Sequence, residues 1–233
     1  MVAGQGRAGV TTVCLAWAYS RPATVMVEAD PAGGDVWAWQ LVADTGLAEV
    51  AAMVLRHGEV TPEQLRARAR QGRCGVAVVT APATAGGAAA SAAAVAGVLP
   101  KLATDVDMVC DAGRIGLEAP GMRGLLGAAD RVLLLVVPTA AGLARLCERL
   151  PALRQVCGQR LTVATVDVGW SGPLPHRGGQ VAALLGDRLV ELPYDPRTAG
   201  VLAGRPGVLP PAGRGWGWWD RWRFPLLEAV RRL

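Results

Sequence analysis

Lysine is almost absent from this chain of 233 residues. Lys101 is the only one, so arginine supplies the rest of the 24 basic side chains. A GC-rich coding sequence produces such a bias, and it gives individual arginine-for-lysine choices little functional weight. The five cysteines, Cys14, Cys74, Cys110, Cys147 and Cys157, form no CxxC and no metal-ligand spacing. That excludes a zinc-ribbon type of site and fits reduced, structural thiols in a cytosolic protein. No signal peptide precedes the first glycine-rich turn, so the expected location is cytoplasmic. No apolar run is long enough for a bilayer, because "RVLLLVVPTAAGL" is broken by Pro138 and flanked by Arg131 and Arg145. Internal repeats are missing as well. Charged residues make up only 18% against 52% hydrophobic, which excludes a disordered chain, and the net charge of +5 permits nucleic acid or an anionic membrane without requiring either.

What is present is alternation. "TVMVEA" (24–29), "GVAVVTA" (75–81), "VDMVCD" (106–111), "RVLLLVVP" (131–138), "LTVATVD" (161–167) and "RLVELP" (188–193) read as strands. They are continuously apolar, the pattern of strands covered on both faces. Helical segments are expected at 10–19, 35–43, 62–71, 87–99, 121–128, 140–156 and 178–185. Thr61-Pro62-Glu63 is a strong helix start. The fold class expected is α/β: a doubly wound, mostly parallel sheet with helices on both faces.

In such sheets ligands sit at the carboxyl ends of the strands, and three suitable turns fall there. "GQGRAGVTT" (4–12) has the spacing of a phosphate-binding loop, with Thr11 at the position that usually ligates magnesium. "VEADPAGGD" places Asp30 just past a strand, and "VDMVCDAG" places Asp111 after an apolar run, as in a Walker B carboxylate. Taken singly, a glycine turn is common and a strand-end aspartate is often a helix cap. Order and spacing together carry the signal.

With these three motifs the sequence resembles the ParA/MinD family of deviant-Walker-A ATPases, in the SIMIBI class of P-loop NTPases. "QGRAGVTT" is similar to the family's KGGxGKTT, "VEADPAGGD" to its DxDPQGN switch, and "VDMVCDAG" to its Walker B strand. "AADRVLLLVVPTAAGLARL" and "ELPYDPRTAGVLAG" resemble later family segments, so the likeness runs over about residues 1–204. It implies ATP or ADP with Mg²⁺ as cofactor. Gly4, Gly6, Arg7, Ala8, Gly9, Val10, Thr11 and Thr12 then form the nucleotide loop, Thr11, Asp30 and Asp111 serve the metal, and Asp30 is the candidate catalytic carboxylate.

The departures shape the functional expectation. Val10 stands where the family has the loop lysine, and Gln5 where it has the signature lysine that reaches across a dimer. Glu28 replaces the first switch aspartate, and Asp167 lies near the family's adenine-binding asparagine. Only three residues precede the loop, so the first strand is expected to be rudimentary or to start upstream. Losing one well-placed electrostatic partner costs about 2.7–4 kcal/mol of transition-state stabilisation. Weak nucleotide binding with little or no turnover is therefore expected: a pseudo-ATPase that positions or organises a larger assembly, such as pilus or secretion machinery. Two alternatives stand beside it. One is an active ATPase using Arg7, driving plasmid partitioning or division-site placement. The other is a structural partner subunit that binds no nucleotide.

Domain organisation reads as 1–204 followed by a Pro/Gly-rich connector and Trp/Arg-rich segment over 205–233. Trp216, Trp218, Trp219 and Trp222 alternate with arginines, and Leu226, Val230 and Leu233 form an apolar stripe beginning near Pro225. This suits either a last helix docked on the domain or a contact with the inner face of the membrane. Arg66, Arg70 and Arg73 recur at helical spacing after Pro62; a solvated helix face is the ordinary origin of such a stripe, DNA phosphate contact the rarer one. The partners expected are proteins of a larger assembly and a second copy of the chain.

Overall fold

The computed structural model describes residues 1–4, 8–119, 121–166, 181–183, 189–207, 209 and 224–233. Its centre is an eight-stranded sheet. In chain order the strands are β1 (Val2–Gly4), β2 (Val25–Glu28), β3 (Arg70–Gln71), β4 (Ala77–Val79), β5 (Met108–Arg114), β6 (Val132–Val136), β7 (Leu161–Val166) and β8 (Leu189–Leu192). Their spatial order is β3-β4-β2-β5-β1-β6-β7-β8. Every neighbouring pair is parallel except β3 with β4 at the edge. This is the doubly wound α/β sheet that the apolar runs announce.

Those runs are continuous because successive residues feed different cores. Met26 packs with the cluster that contains helix α1 (Val10–Ser20), whereas Val25 and Val27 pack with the cluster under helices α3 (Gly46–His57), α4 (Pro62–Arg68), α5 (Ala85–Val95) and α6 (Leu99–Leu102). In β6, Leu133 and Leu135 join the α1 side while Val132, Leu134 and Val136 face α7 (Met122–Ala128) and α8 (Ala140–Cys157). Side chains alternate across a strand, so a strand covered on both faces must be apolar throughout.

Several helices start where their sequences direct. Thr61 and Gln64 form a reciprocal capping box ahead of α4, with Pro62 in the first turn. Thr139 Oγ1 accepts from the Gly142 N–H at the start of α8. Asp195 caps helix α9 (Pro196–Leu202) through the Thr198 N–H at 2.9 Å. The same carboxylate accepts from the Leu226 N–H at 3.2 Å, tying α9 to the last helix, α10 (Pro225–Arg231).

Some boundaries differ from the sequence expectation. The segment 35–43 forms only α2 (Val36–Gln40), because Leu41 turns into the left-handed region at φ 53°. The helix expected over 62–71 stops at Arg68, and Arg70 and Gln71 instead pair antiparallel with Val78 and Ala77. Arg66, Arg70 and Arg73 therefore do not share a helix face. Arg66 donates to the Asp105 carbonyl at 2.7 Å and Arg73 to that of Gly204 at 3.5 Å, so each contacts backbone distant in sequence. Helix α3 lies outside the segments expected to be helical. Its Leu47, Val50 and Ala51 are buried at helical spacing. Most of the segment expected as a helix over 178–185, and the tryptophans at 216–222, lie outside the described residues. What is described of the C-terminal segment is docked: Leu226, Leu227 and Val230 are buried in the same cluster as α1. No described helix is long and apolar enough to cross a membrane.

Candidate functional site

The carboxyl ends of β1, β2 and β5 meet at one edge, and the three motif turns leave from there. β5 lies between β1 and β2, with Val2 and Glu28 both level with Asp111. The glycine loop follows β1. Gln5, Gly6 and Arg7 lie outside the described residues. Ala8 is buried, and Gly9 adopts φ 74°, ψ 30°, the left-handed conformation that glycine enters without strain, immediately before α1. The first helical bond of α1 runs from the Val13 N–H to the Gly9 carbonyl at 3.0 Å. The N–H groups of Val10, Thr11 and Thr12 precede it, and no side chain caps them. Eleven residues of helix thus aim an uncapped positive end at the strand ends.

Val10 turns inward. It is only 9% exposed and packs with the core, and a Cβ placed on Gly4 would meet its Cγ2 at 2.6 Å. A methyl group of Val10 is therefore folded against Gly4, the first glycine of the turn.

Asp111 is fully buried on β5. Its Oδ1 accepts from the Gly113 N–H at 2.9 Å. Burial pushes its carboxyl up to about 6, opposed by the adjacent Thr11 hydroxyl and the Gly113 N–H and reinforced by the charge of Asp30. Thr11 is close enough to favour the ionised form, yet Oδ2 meets no donor at hydrogen-bonding geometry among the described residues. A buried, unmatched carboxylate oxygen is costly unless something else satisfies it.

Asp30 reaches the same place from the end of β2. Its Oδ1 accepts from the Ala32 N–H at 2.8 Å, and its carboxylate lies over Gly113, where any Cβ would overlap it. Gly113 also has a φ of 56°, so only glycine serves there on both counts. Burial raises the Asp30 carboxyl, while the Ala32 N–H and the Arg114 charge lower it. Thr11, Asp30 and Asp111 are thus brought together, with Thr12 half-buried one residue further along α1. Asp167 lies outside the described residues.

Glu28 does something the sequence did not suggest. Only 2% exposed, it accepts from the N–H groups of Asp35 (3.0 Å) and Val36 (3.2 Å) through Oε1 and of Ala81 (2.9 Å) through Oε2. It caps α2 and clamps the end of β4. Burial lifts its carboxyl to about 7 against the three N–H donors, with Asp111 adding to the rise. The turn that follows β2 is held to the sheet by this side chain.

Magnesium with ADP or ATP fits this arrangement at the metal end. Mg²⁺ takes one or two protein oxygens and completes its shell with water and phosphate, and Asp111 Oδ2 is a buried oxygen beside the Thr11 hydroxyl that lacks a partner among the described residues. Among the described residues no three His, Cys, Asp or Glu side chains group into an all-protein metal cage. The fit is poorer at the terminal phosphate, where Val10 offers no charge. A cavity of about 370 Å³ lies at the opposite, amino ends of the strands, between Trp17, Leu99, Met108 and Arg131, and takes no part in this site.

No protein-family model and no curated protein matches the chain. Among solved structures it is similar to the cell-division ATPase MinD of Pyrococcus furiosus, with a TM-score of 0.66 at 18% identity over 99% of this chain and 98% of that one. A ParA family ATPase from Chlorobium tepidum TLS gives 0.64 at 13% identity over 87% and 89%. The septum site-determining protein MinD of Pyrococcus horikoshii OT3, complexed with Mg-ADP, gives 0.55 at 17% identity over 88% and 84%. The chain has the ParA/MinD-like fold.

Proposed function

We propose that this chain is a ParA/MinD-like positioning protein that binds Mg-ADP or Mg-ATP weakly, turns ATP over negligibly, and organises a larger protein assembly such as pilus or secretion machinery. One observation carries the reading. Asp111 Oδ2 is buried beside Thr11 with no hydrogen-bond partner among the described residues, and Val10 is packed into the core, which supports a site that keeps its metal end and lacks its loop cation. The named functions of the fold's neighbours, cell division and septum-site determination, support a positioning role, and one of those neighbours is complexed with Mg-ADP.

In this reading the α1 amides and the loop glycines would hold the phosphates, Thr11 and Asp111 would hold the metal, and Asp30 would orient water beside it. Bound magnesium would draw the phosphate oxygens together and offset their charge. Val10 leaves the terminal phosphate without the electrostatic partner that phosphoryl transfer relies on. Nucleotide would then act as an occupancy signal read by protein partners or a second copy of the chain.

The test is the nucleotide content of the purified protein, read by mass spectrometry after denaturation, together with steady-state hydrolysis. Bound ADP or ATP with negligible turnover supports the proposal. Robust magnesium-dependent hydrolysis abolished by Arg7→Ala would replace it with an active ATPase. Absence of both bound and bindable nucleotide would replace it with a purely structural subunit.

A further inference from the structure

Arg114 ends β5, and its backbone is held from both sides of the loop. β1 pairs with β5 so that Arg114 stands opposite Gly4, the first residue of the glycine loop. The next residue, Ile115, is 3% exposed; its N–H donates to the Gly4 carbonyl at 2.9 Å and its carbonyl accepts from Arg149 Nη1 at 3.0 Å. The strand end is therefore locked to the loop on one side and to α8 on the other. The Arg114 side chain is exposed and makes no direct ion pair among the described residues, although its charge lies near enough to Asp30 to favour the ionised carboxylate. A fixed base, an exposed guanidinium and a loop whose own cation site holds Val10 coincide at this edge.

We propose that Arg114 is a phosphate-binding residue, supplying from the strand beside the loop the positive charge that Val10 cannot supply from within it. This rests on the nucleotide reading above. A guanidinium suits the task because its planar fork bonds two phosphate oxygens at once and stays charged at every working pH. The nearby Asp30 charge favours keeping the guanidinium at this edge without pairing with it directly. The ligand class is a nucleoside di- or triphosphate, recognised here by charge beyond the first phosphate.

Titrating the full chain with fluorescent ADP, ATP and AMP analogues in magnesium tests this, using the wild type, Arg114→Gln and Arg114→Lys. Arg114→Gln should weaken ADP and ATP binding by about tenfold or more, the loss expected for a hydrogen bond to a charged group. The loss should shrink for AMP, and Arg114→Lys should recover part of it. The apo melting temperature of Arg114→Gln should match the wild type, since the side chain is exposed. Unchanged ADP and ATP affinity in Arg114→Gln would overturn the assignment and leave Arg114 as a counter-charge for Asp30. A wild type that binds neither nucleotide nor pyrophosphate would instead overturn the nucleotide reading, and this role with it.

Discussion

Val10 and Asp111 answer different needs. Val10 is a packing residue lying against Gly4, where Cβ space is already short. Val10→Lys gives up part of a buried valine, and a lysine stem covers some of the same surface, so apo stability should fall by about 1 kcal/mol. Nucleotide affinity should rise, because the new ammonium enters near the phosphates; hydrolysis should stay low while Gln5 remains. A fluorescent-nucleotide titration beside a melting curve checks both halves, and unaltered affinity would mean that phosphate does not lie over this loop. For Asp111→Ala the expected change is loss of magnesium dependence in the same titration. Magnesium dependence that survives the substitution would move the metal elsewhere. Asp111 and Asp30 were legible as strand-end carboxylates. Arg114 is not legible there, because a cation after such an aspartate has no motif of its own; its place comes from the register with Gly4.

The strands were the most legible elements, since a parallel sheet covered twice leaves no polar alternation to confuse the pattern. β2, β4, β6, β7 and β8 fall within the segments expected for them, while β5 (Met108–Arg114) runs three residues past the expected end at 111. Helix ends were less legible where a tertiary partner decides them: α4 stops because Arg70 and Gln71 find β4, a pairing across six to eight residues of sequence that local propensity does not contain. Helix α3 carried its signal in Leu47, Val50 and Ala51, but alanine-rich stretches elsewhere in the chain dilute such patterns. At the carboxyl terminus, α10 packs on α1 through Leu227, which is fully buried. Leu227→Ala should cost about 2–5 kcal/mol in chemical denaturation. Removing 216–233 should lower the melting temperature for the same reason. Truncation that leaves stability untouched but ends co-sedimentation with anionic liposomes would show that the segment serves lipid rather than the core.

For the molecule as a whole, the buried carboxyls at the strand ends set a pH dependence. Glu28 is raised from 4.5 to about 7 and Asp111 from 3.8 to about 6 by burial. Between the ordinary values and these raised ones the folded chain holds more protons than the unfolded chain. Stability then falls as pH rises through that window. Melting in the presence of a chelator should give a higher midpoint near pH 5 than near pH 8, with a shallower slope in Asp111→Asn; a midpoint that climbs with pH would refute the raised values. The Asp195 carboxylate has a further consequence. It fastens the start of α10 to α9, and Leu209 and Phe224 are both buried in the α1 cluster, one on either side of the 14 residues from 210 to 223. The last helix is therefore held to the domain by its own packing and by Asp195, so its place on α1 does not depend on the covalent link through that span alone.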